Sequence, residues 1–337
     1  MHIDARPIEL KLTTPFRISR GVQHISPNVI VQIKRGEHTG YGEAAPDQYY
    51  GESLETVLDC MTMFAGHLGD DPFAIEDILN QLEHVIRLNP AAKAAVDMAL
   101  YDLVGKILEV PLYRLLGLNP AHAAHTSFTL GIDTPANMAK KALAAHNYPI
   151  LKVKVGTKHD IANIKAIREV TSATIRVDAN AGWTAKEAIK TINEMAPYNI
   201  EFVEQPIPAH DLAGLRLIRE HVPLPIFADE SCVTVEDIPR IVGCVDGINI
   251  KLMKCGGVRH ALKMIHVARA HNLRIMIGCM IESSLAITAA SHLTPLVDYA
   301  DLDGNLLIDN DPYVGVTVVD GKLVLPDAPG LGVKARG

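Results

Sequence analysis

Five charged residues, each at the end of a short apolar segment, recur at nearly even spacing through the second half of the chain. Lys154, Asp178, Glu204, Asp229 and Lys251 follow one another at intervals of 24, 26, 25 and 22 residues. Each interval fits one strand, one helix and two loops, which is a βα repeat. In a (β/α)₈ barrel the carboxyl ends of the strands share one rim, where active sites lie. The spacing therefore predicts a barrel whose rim brings these side chains together.

Eight short apolar segments are candidates for the barrel strands. They lie at 126–131, 151–155, 174–178, 201–204, 225–229, 247–251, 274–278 and 297–301. The earlier sequence differs, because alternating residues at 28–34 predict an antiparallel meander and helical patterns follow from about 52 to 116. We therefore expect an α/β chain whose first third is an α+β unit.

Composition excludes several classes of partner. With 48% hydrophobic residues, a net charge of −7 and no run of like charges, the chain is typical of a soluble globular protein of one large domain or two and not of a nucleic-acid or membrane-surface binder. It has no apolar stretch of about eighteen residues, and the start, MHIDARPIELKL, lacks the apolar core of a signal peptide. We expect a cytosolic protein. Five cysteines without a CxxC pattern predict free thiols.

Two lysines in one predicted strand indicate what the rim contains. Lys152 and Lys154 lie on the same face of the strand at 151–155, so inside a barrel they would face the three carboxylates. A single carboxylate at a strand end is more often a helix cap. Three carboxylates at the ends of successive strands, however, repel one another unless a cation is bound. Hard divalent ions take oxygen ligands from such groups. We therefore predict that Asp178, Glu204 and Asp229 bind Mg²⁺.

Other polar residues give weaker signals. Lys254 lies three residues past Lys251, beyond the strand, and is expected to reach solvent. The Gly-Gly pair at 256–257 precedes a helix and predicts a tight turn rather than a phosphate site. His122 and His125 lack the glutamate of an HExxH zinc motif, and no GxSxG serine motif is present.

Several motifs occur in an order known from one superfamily. They are Lys-x-Lys at 152–154, Asp-Ala-Asn at 178–180, Glu-Gln-Pro at 204–206, Asp-Glu-Ser at 229–231, Asn-Ile-Lys at 249–251, and the segments 94–105 and 111–117. Together they resemble the muconate-lactonizing branch of the enolase superfamily. The resemblance implies a modified TIM (β/α)₇β barrel at 118–321 without a regular eighth helix. It also implies an α+β capping domain at 1–117, completed by about 322–337, whose loops near 15–24 and 49–53 would close over the substrate.

The segment 301–307, Asp-Leu-Asp-Gly-Asn-Leu-Leu, is similar to the Asp-x-Asp motif of the dipeptide epimerases in that branch. The resemblance implies that Asp301 and Asp303 hold the α-ammonium group of a dipeptide, although Asp-Gly alone would indicate a turn. It further implies that Arg20 meets the side-chain carboxylate of an Ala-Glu substrate. Met280, in the segment 278–283, would line the same pocket.

This resemblance implies an isomerase that inverts the α-carbon of the C-terminal residue of an L,L-dipeptide such as L-Ala-L-Glu by 1,1-proton transfer. Removing a proton next to a carboxylate creates a dianionic enolate, which Mg²⁺ and Lys152 would stabilise. Lys154 and Lys251 would exchange the proton from opposite sides. A lysine that acts as a base needs a lowered pKa, which nearby cations would provide.

Other functions stay open at the level of sequence. An o-succinylbenzoate synthase or N-acylamino acid racemase of the same superfamily keeps both lysines but needs no clamp for an amino group. Mandelate-racemase-like chemistry is disfavoured because that group has a histidine where this chain has a lysine. An inactive barrel used for binding is disfavoured because the three carboxylates would repel one another without metal. The family often assembles, which leaves a homo-oligomer open, and the preferred dipeptide side chains are not determined.

Overall fold

The computed structural model describes residues 1–336, which begin with a three-stranded antiparallel sheet. Its strands are β1 (His2–Ile18), β2 (Gly21–Arg35) and β3 (His38–Ala44), in that order across the sheet. The central strand β2 is buried on both faces from Val29 to Val31, as expected for a strand with neighbours on both sides and a helix packed across it. The predicted meander is therefore confirmed.

Four helices follow this sheet: α1 (Leu54–Phe64), α2 (Ile75–Val85), α3 (Pro90–Ile107) and α4 (Leu112–Leu115). Helix α3 lies directly against β3, where two glycines allow the close approach. A Cβ atom on Gly42 would lie only 1.9 Å from the carbonyl oxygen of Ala95, and one on Gly40 would lie 2.0 Å from that of Ala99. Backbone packing of this kind fixes the helix on the sheet.

Eight parallel strands form the second sheet. They are β4 (Phe128–Leu130), β5 (Ile150–Lys154), β6 (Thr174–Asp178), β7 (Ile200–Glu204), β8 (Ile226–Ala228), β9 (Gly247–Lys251), β10 (Arg274–Gly278) and β11 (Tyr299–Asp301). Each pairs with the next along the chain, and a bridge between Thr126 and Ala300 brings the first and last strands together. The result is a nearly closed barrel. All eight predicted strands are confirmed to within two residues at each end.

The helices that follow the barrel strands complete the βα repeat. They are α5 (Pro135–Ala144), α6 (Asp160–Arg168), α7 (Ala185–Met195), α8 (Leu212–His221), α9 (Ile238–Ile241), α10 (Leu252–Cys255), α11 (Val258–Ala270) and α12 (Ser284–Ser291). Strand β11 is followed instead by a 3₁₀ turn at Gly304–Leu306 and then by short strands, the last of which ends at Ala335. The barrel therefore has the (β/α)₇β form that the family resemblance implies.

The last part of the described chain returns to its beginning. Strands β12 (Tyr313–Val314) and β15 (Lys334–Ala335) pair with each other, as do β13 (Thr317–Val319) and β14 (Lys322–Val324). Between them, the Gly330 amide donates to the carbonyl of Val110 (2.9 Å), and the Leu331 amide donates to Asp102 on α3 (2.8 Å). The division of the chain into domains at residues 117 and 118 stays a prediction.

The five cysteines are free thiols, as predicted. Within residues 1–336 there is no helix whose length and apolar character would let it cross a membrane.

Candidate active site

The strand ends at one rim of the barrel bring the predicted residues together. Lys154, Asp178, Glu204 and Lys251 are the last residues of β5, β6, β7 and β9, and Asp229 follows β8 directly. The strand register pairs Lys154 with Asp178 and Asp178 with Glu204. All five residues therefore lie at the carboxyl end of the barrel, where active sites of this architecture are built, and we call them the rim layer.

Lys152 lies at the centre of this layer. Its ammonium nitrogen is 2.5 Å from Asp301, 2.8 Å from Glu204 and 3.1 Å from Asp178, and its side chain is only 3% exposed. Burial lowers the pKa of Lys152, but the three carboxylates together raise it by more, so the pKa lies well above its usual value. Lys152 is therefore a fixed cation inside the barrel.

Lys154 and Lys251 face the same space from opposite sides, because β5 and β9 are four strands apart in the eight-stranded barrel. The Lys154 ammonium nitrogen lies 2.6 Å from Asp178, and that of Lys251 lies 2.8 Å from Asp229. Burial lowers the pKa of Lys251, yet the carboxylates of Asp229, Glu204 and Glu230 together raise it by more and leave it above its usual value. The expectation of a lowered pKa is therefore wrong for Lys251 in this arrangement.

Lys254 corrects another expectation. Its side chain is 1% exposed instead of reaching solvent, and its ammonium nitrogen lies 2.6 Å from a carboxylate oxygen of Asp229. Helix α10 begins immediately after Lys251, so Lys254 is one helical turn further on and turns back towards the strand ends. Ammonium groups thus contact both oxygens of the Asp229 carboxylate.

The three predicted metal ligands are fully buried, and their pKa values diverge. Burial raises the pKa of Asp178, but Lys154 and Lys152 lower it by more, so it lies below the usual value. For Glu204 burial and the Asp178 charge together raise the pKa to about 7. Asp229 has a lowered pKa because the ammonium groups of Lys251 and Lys254 outweigh its burial.

Around these carboxylates lie buried oxygen atoms that accept no hydrogen bond from residues 1–336. They are Asn180 Oδ1, Glu230 Oε2 and Asn249 Oδ1, whereas Glu204 Oε2 lies 2.8 Å from the Lys152 ammonium nitrogen. Buried polar atoms without a partner are costly, and an oxygen-only set of this kind suits a hard divalent cation. Within residues 1–336, no group of three aspartate, glutamate, histidine or cysteine side chains is arranged to hold a metal ion. Lysine ammonium groups contact the carboxylates instead. The donor chemistry nevertheless fits Mg²⁺.

Asp301 and Asp303 lie beside this layer but differ in their contacts. Both oxygens of Asp301 are engaged, one by the Ser127 hydroxyl (2.6 Å) and the other by Lys152. Asp303 accepts one hydrogen bond, from the amide of Thr129 (2.6 Å), to a single oxygen. Burial and the nearby Asp301 charge raise the pKa of Asp303 to about 7, whereas Lys152 outweighs burial at Asp301 and lowers its pKa.

A cavity of about 530 Å³ lies above the barrel rim. Its lining includes the three lysines of the layer, both aspartates of the Asp-x-Asp segment, and Met280 from the loop after β10. The predicted residues that line it are Arg20, Lys152, Lys154, Lys251, Met280, Asp301 and Asp303. The carboxylates of Asp178, Glu204 and Asp229 lie behind the lysines. A small molecule in the cavity could contact Lys154, Lys251 and one of the two aspartates at once.

The turn between β1 and β2 closes one side of the cavity. Arg20 Nη1 lies 2.5 Å from Glu230 and 3.1 Å from the carbonyl of Asn180, and the guanidinium group stacks 4.4 Å from the ring centre of Tyr49. Ser19 donates to the same Asn180 carbonyl. The loops near 15–24 and 49–53, which the resemblance places over the substrate, therefore contact each other at the rim.

Sequence reasoning missed two contributors to the site. Ser127 precedes β4 and donates to Asp301, but serines are too common in loops for sequence to single it out. Lys254 was considered but expected to reach solvent, because its partners are carbonyl oxygens of Asp229, Cys232 and Asn249 that only the fold brings near it.

Two family models match the chain. The model described as mandelate racemase / muconate lactonizing enzyme, N-terminal domain, matches residues 3–117, and the model described as enolase C-terminal domain-like matches residues 135–336. The similarity therefore extends over the antiparallel sheet, the barrel and the returning C-terminal segment.

Individual relatives agree with these models. The L-Ala-D/L-Glu epimerase of Bacteroides thetaiotaomicron is 46% identical over 97% of this chain and 86% of that protein. The crystal structure of a dipeptide epimerase from Enterococcus faecalis V583, complexed with Mg and L-Leu-L-Tyr, is 40% identical, covers 99% of both chains and has a TM-score of 0.94. An N-succinyl Arg/Lys racemase from Bacillus cereus is 33% identical, covers 100% of this chain and 96% of that chain, and also has a TM-score of 0.94.

Proposed function

Because this chain belongs to the mandelate racemase / muconate lactonizing enzyme family within the enolase superfamily, we propose that it is a Mg²⁺-dependent dipeptide epimerase. It inverts the α-carbon of the C-terminal residue of an L,L-dipeptide. The observation that carries this proposal is the pair Lys154 and Lys251, which face one cavity from opposite sides with buried carboxylates behind them. Relatives named as epimerases of dipeptides support it over the full length of the chain.

The lysine pair accounts for inversion. A proton taken from one face of a planar enolate and a proton returned to the other face exchange the configuration at that carbon. We assign these two roles to Lys154 on β5 and Lys251 on β9, and the roles swap when the reaction runs in reverse. The neutral lysine accepts the α-proton while the protonated lysine donates from across the cavity.

The charge that develops on the substrate carboxylate needs fixed positive groups. Lys152 is a permanent cation beside Asp178 and Glu204, so it supplies part of that field without moving. Asp178, Glu204 and Asp229 would hold Mg²⁺, and the unpartnered oxygens around them fit this role. When bound, the ion would neutralise the substrate carboxylate and so acidify the adjacent α-proton.

The other end of the dipeptide carries a free ammonium group. Asp303 is the better placed of the two aspartates to bind it, since one of its oxygens accepts no hydrogen bond from residues 1–336, whereas Asp301 is engaged by Ser127 and Lys152. Asp301 would then hold Lys152 in position and add negative charge. An acidic pair at this end selects substrates with a free amine over N-acylated ones.

Arg20 favours an acidic side chain on the residue that is inverted. Only its Nη1 atom is used by Glu230 and by the carbonyl of Asn180, and the side chain is 32% exposed. Arg20 lines the cavity, and its remaining guanidinium N–H groups would suit a carboxylate. We therefore place L-Ala-L-Glu first among the substrates, with Met280 lining the same cavity.

The test is α-proton exchange in D₂O, followed by NMR with added Mg²⁺ across a set of L,L-dipeptides that includes L-Ala-L-Glu. We expect deuterium at the α-carbon of the second residue and growth of the L,D diastereomer. N-Succinylamino acids and an o-succinylbenzoate precursor serve as competing substrates in the same assay. Turnover of these compounds without turnover of any dipeptide would assign the alternative racemase or synthase activity and remove the ammonium role of Asp303.

A further inference from the structure

Lys254 makes a set of contacts that the proposed chemistry does not use. Its ammonium nitrogen lies 2.6 Å from a carboxylate oxygen of Asp229 and 2.6 Å from the carbonyl oxygen of the same residue. It also lies 3.0 Å from the carbonyl of Cys232 and 2.9 Å from that of Asn249. The side chain is almost fully buried and does not line the cavity above the rim.

These contacts join two separate stretches of chain to helix α10. Asp229 follows β8, Cys232 lies in the loop beyond it, and Asn249 belongs to β9. An ammonium group has three N–H donors, so four oxygens at these distances engage all of them. Any movement of the Asp229 side chain would break contacts that the buried ammonium group cannot replace with water.

The two oxygens of the Asp229 carboxylate therefore have different surroundings. Oδ1 faces Lys254, in the interior, and Oδ2 faces Lys251, which lines the cavity. We propose that Lys254 is a positioning residue that holds Asp229 by Oδ1 and by its backbone, so that Oδ2 is presented to the divalent cation in a fixed direction. This inference rests on the metal-binding role proposed for Asp229.

A positioning role and a purely electrostatic role predict opposite effects on metal affinity. If Lys254 served only as a counter-charge, its loss would leave the site more negative and Mg²⁺ would bind more tightly. If Lys254 holds Asp229 in place, its loss frees the carboxylate and Mg²⁺ binds more weakly. Partners that orient metal ligands typically contribute about 10-fold to 100-fold in affinity.

The experiment is titration calorimetry of Mg²⁺ into the metal-free protein, which measures affinity without a catalytic assay. Lys254→Met keeps the length of the side chain but removes its charge and donors, and we expect the dissociation constant to rise about 10-fold or more. Lys190→Met is the matched control, because Lys190 is 77% exposed on α7, where its ammonium nitrogen lies 3.9 Å from Glu194 of the same helix. It should leave the constant unchanged. Unchanged or tighter binding by Lys254→Met would overturn the proposal.

Asp229→Asn and the double variant separate this inference from the proposed function. If Asp229 is a ligand and Lys254 acts through it, Asp229→Asn weakens Mg²⁺ binding and adding Lys254→Met weakens it little further. If Asp229→Asn binds Mg²⁺ as the wild type does, the ligand assignment itself fails. If it binds weakly while Lys254→Met is unaffected, only the positioning role fails.

A second variant covers a failure of Lys254→Met to fold, which circular dichroism of the metal-free protein would reveal. Lys254→Gln keeps N–H donors for the backbone carbonyls and loses only the charge and part of the reach. We expect it to weaken Mg²⁺ binding as well, since its amide is too short to hold Asp229 and the carbonyls together. Wild-type affinity in a folded Lys254→Gln protein would contradict the inference.

Discussion

Lys154 and Lys251 each contact a different carboxylate, Asp178 and Asp229, and each reaches the cavity from its own side. Each lysine can therefore reach only one face of a substrate α-carbon held between them. The two epimers of the substrate present their α-protons to opposite faces, so a different lysine removes the α-proton of each epimer. This pairing gives the two lysines separable roles.

Replacing one lysine should stop inversion but leave exchange with one epimer. We expect Lys251→Ala and Lys154→Ala each to slow epimerisation by about 10²–10⁴-fold or more, as loss of a general acid or base does. Each variant should still exchange the α-proton of one diastereomer in D₂O, and the two variants should act on opposite diastereomers. NMR with the L,L and L,D dipeptides measures both. A variant that exchanges protons in both diastereomers would show that one lysine serves both faces.

Arg20 is tested by its effect on substrates that differ only in charge. Because Arg20 lines the cavity, we expect Arg20→Gln to lower kcat/KM for L-Ala-L-Glu about 10-fold, which corresponds to about 1.4 kcal/mol, mainly through KM. The value for L-Ala-L-Gln, which has the same shape without the charge, should change little. An equal loss for both dipeptides would mean that Arg20 acts only by holding the loop to Glu230.

At the scale of elements, the features that could be predicted from the sequence are those that a local pattern of residues determines. The strands β6, β9 and β10 match prediction because an apolar run that ends in a turn carries its own signal. The burial of Lys254 was not predicted, because it depends on carbonyls from the loop after β8 and from β9, which only the fold brings together. The raised pKa of Lys251 was missed for the same reason, since Asp229 comes from a neighbouring strand.

The contact between α3 and β3 gives a prediction at this scale. Since a Cβ atom at position 42 would lie 1.9 Å from the Ala95 carbonyl, Gly42→Ala must push the helix away from the sheet. Overpacking of this kind costs about 1–3 kcal/mol or more. We expect a clearly lower midpoint of urea unfolding for Gly42→Ala. Gly66→Ala is the control, because a Cβ there meets nothing within 4 Å, and an equal effect of both changes would contradict the packing argument.

At the scale of the whole molecule, buried charged groups join the N-terminal helices to the barrel. Asp97 on α3 accepts hydrogen bonds from the amides of Val258 and Arg259 at the start of α11 (2.5 and 3.1 Å). It occupies the helix end next to the Gly-Gly pair, which is therefore a turn closed by a carboxylate, and a Cβ on Gly257 would lie 2.4 Å from Asp97. Arg259 in turn pairs with Glu76 on α2. These contacts hold the two parts of the molecule together.

The Asp97 contact should make stability depend on pH in a defined direction. Burial raises the pKa of Asp97 from 3.8 to about 7, although the two amide hydrogen bonds lower it. Between about pH 4 and pH 7 the folded protein thus keeps a proton that the unfolded chain has lost. The contribution of Asp97 to the free energy of unfolding is therefore greatest below pH 4 and declines up to pH 7.

We expect the free energy of unfolding of the wild type, relative to Asp97→Asn, to fall by at most about 1.4 kcal/mol per pH unit between pH 5 and 7. Above pH 7 the difference should level off. Urea unfolding of both proteins at several pH values measures it, and a difference that stays constant from pH 5 to 8 would mean that Asp97 is ionised throughout.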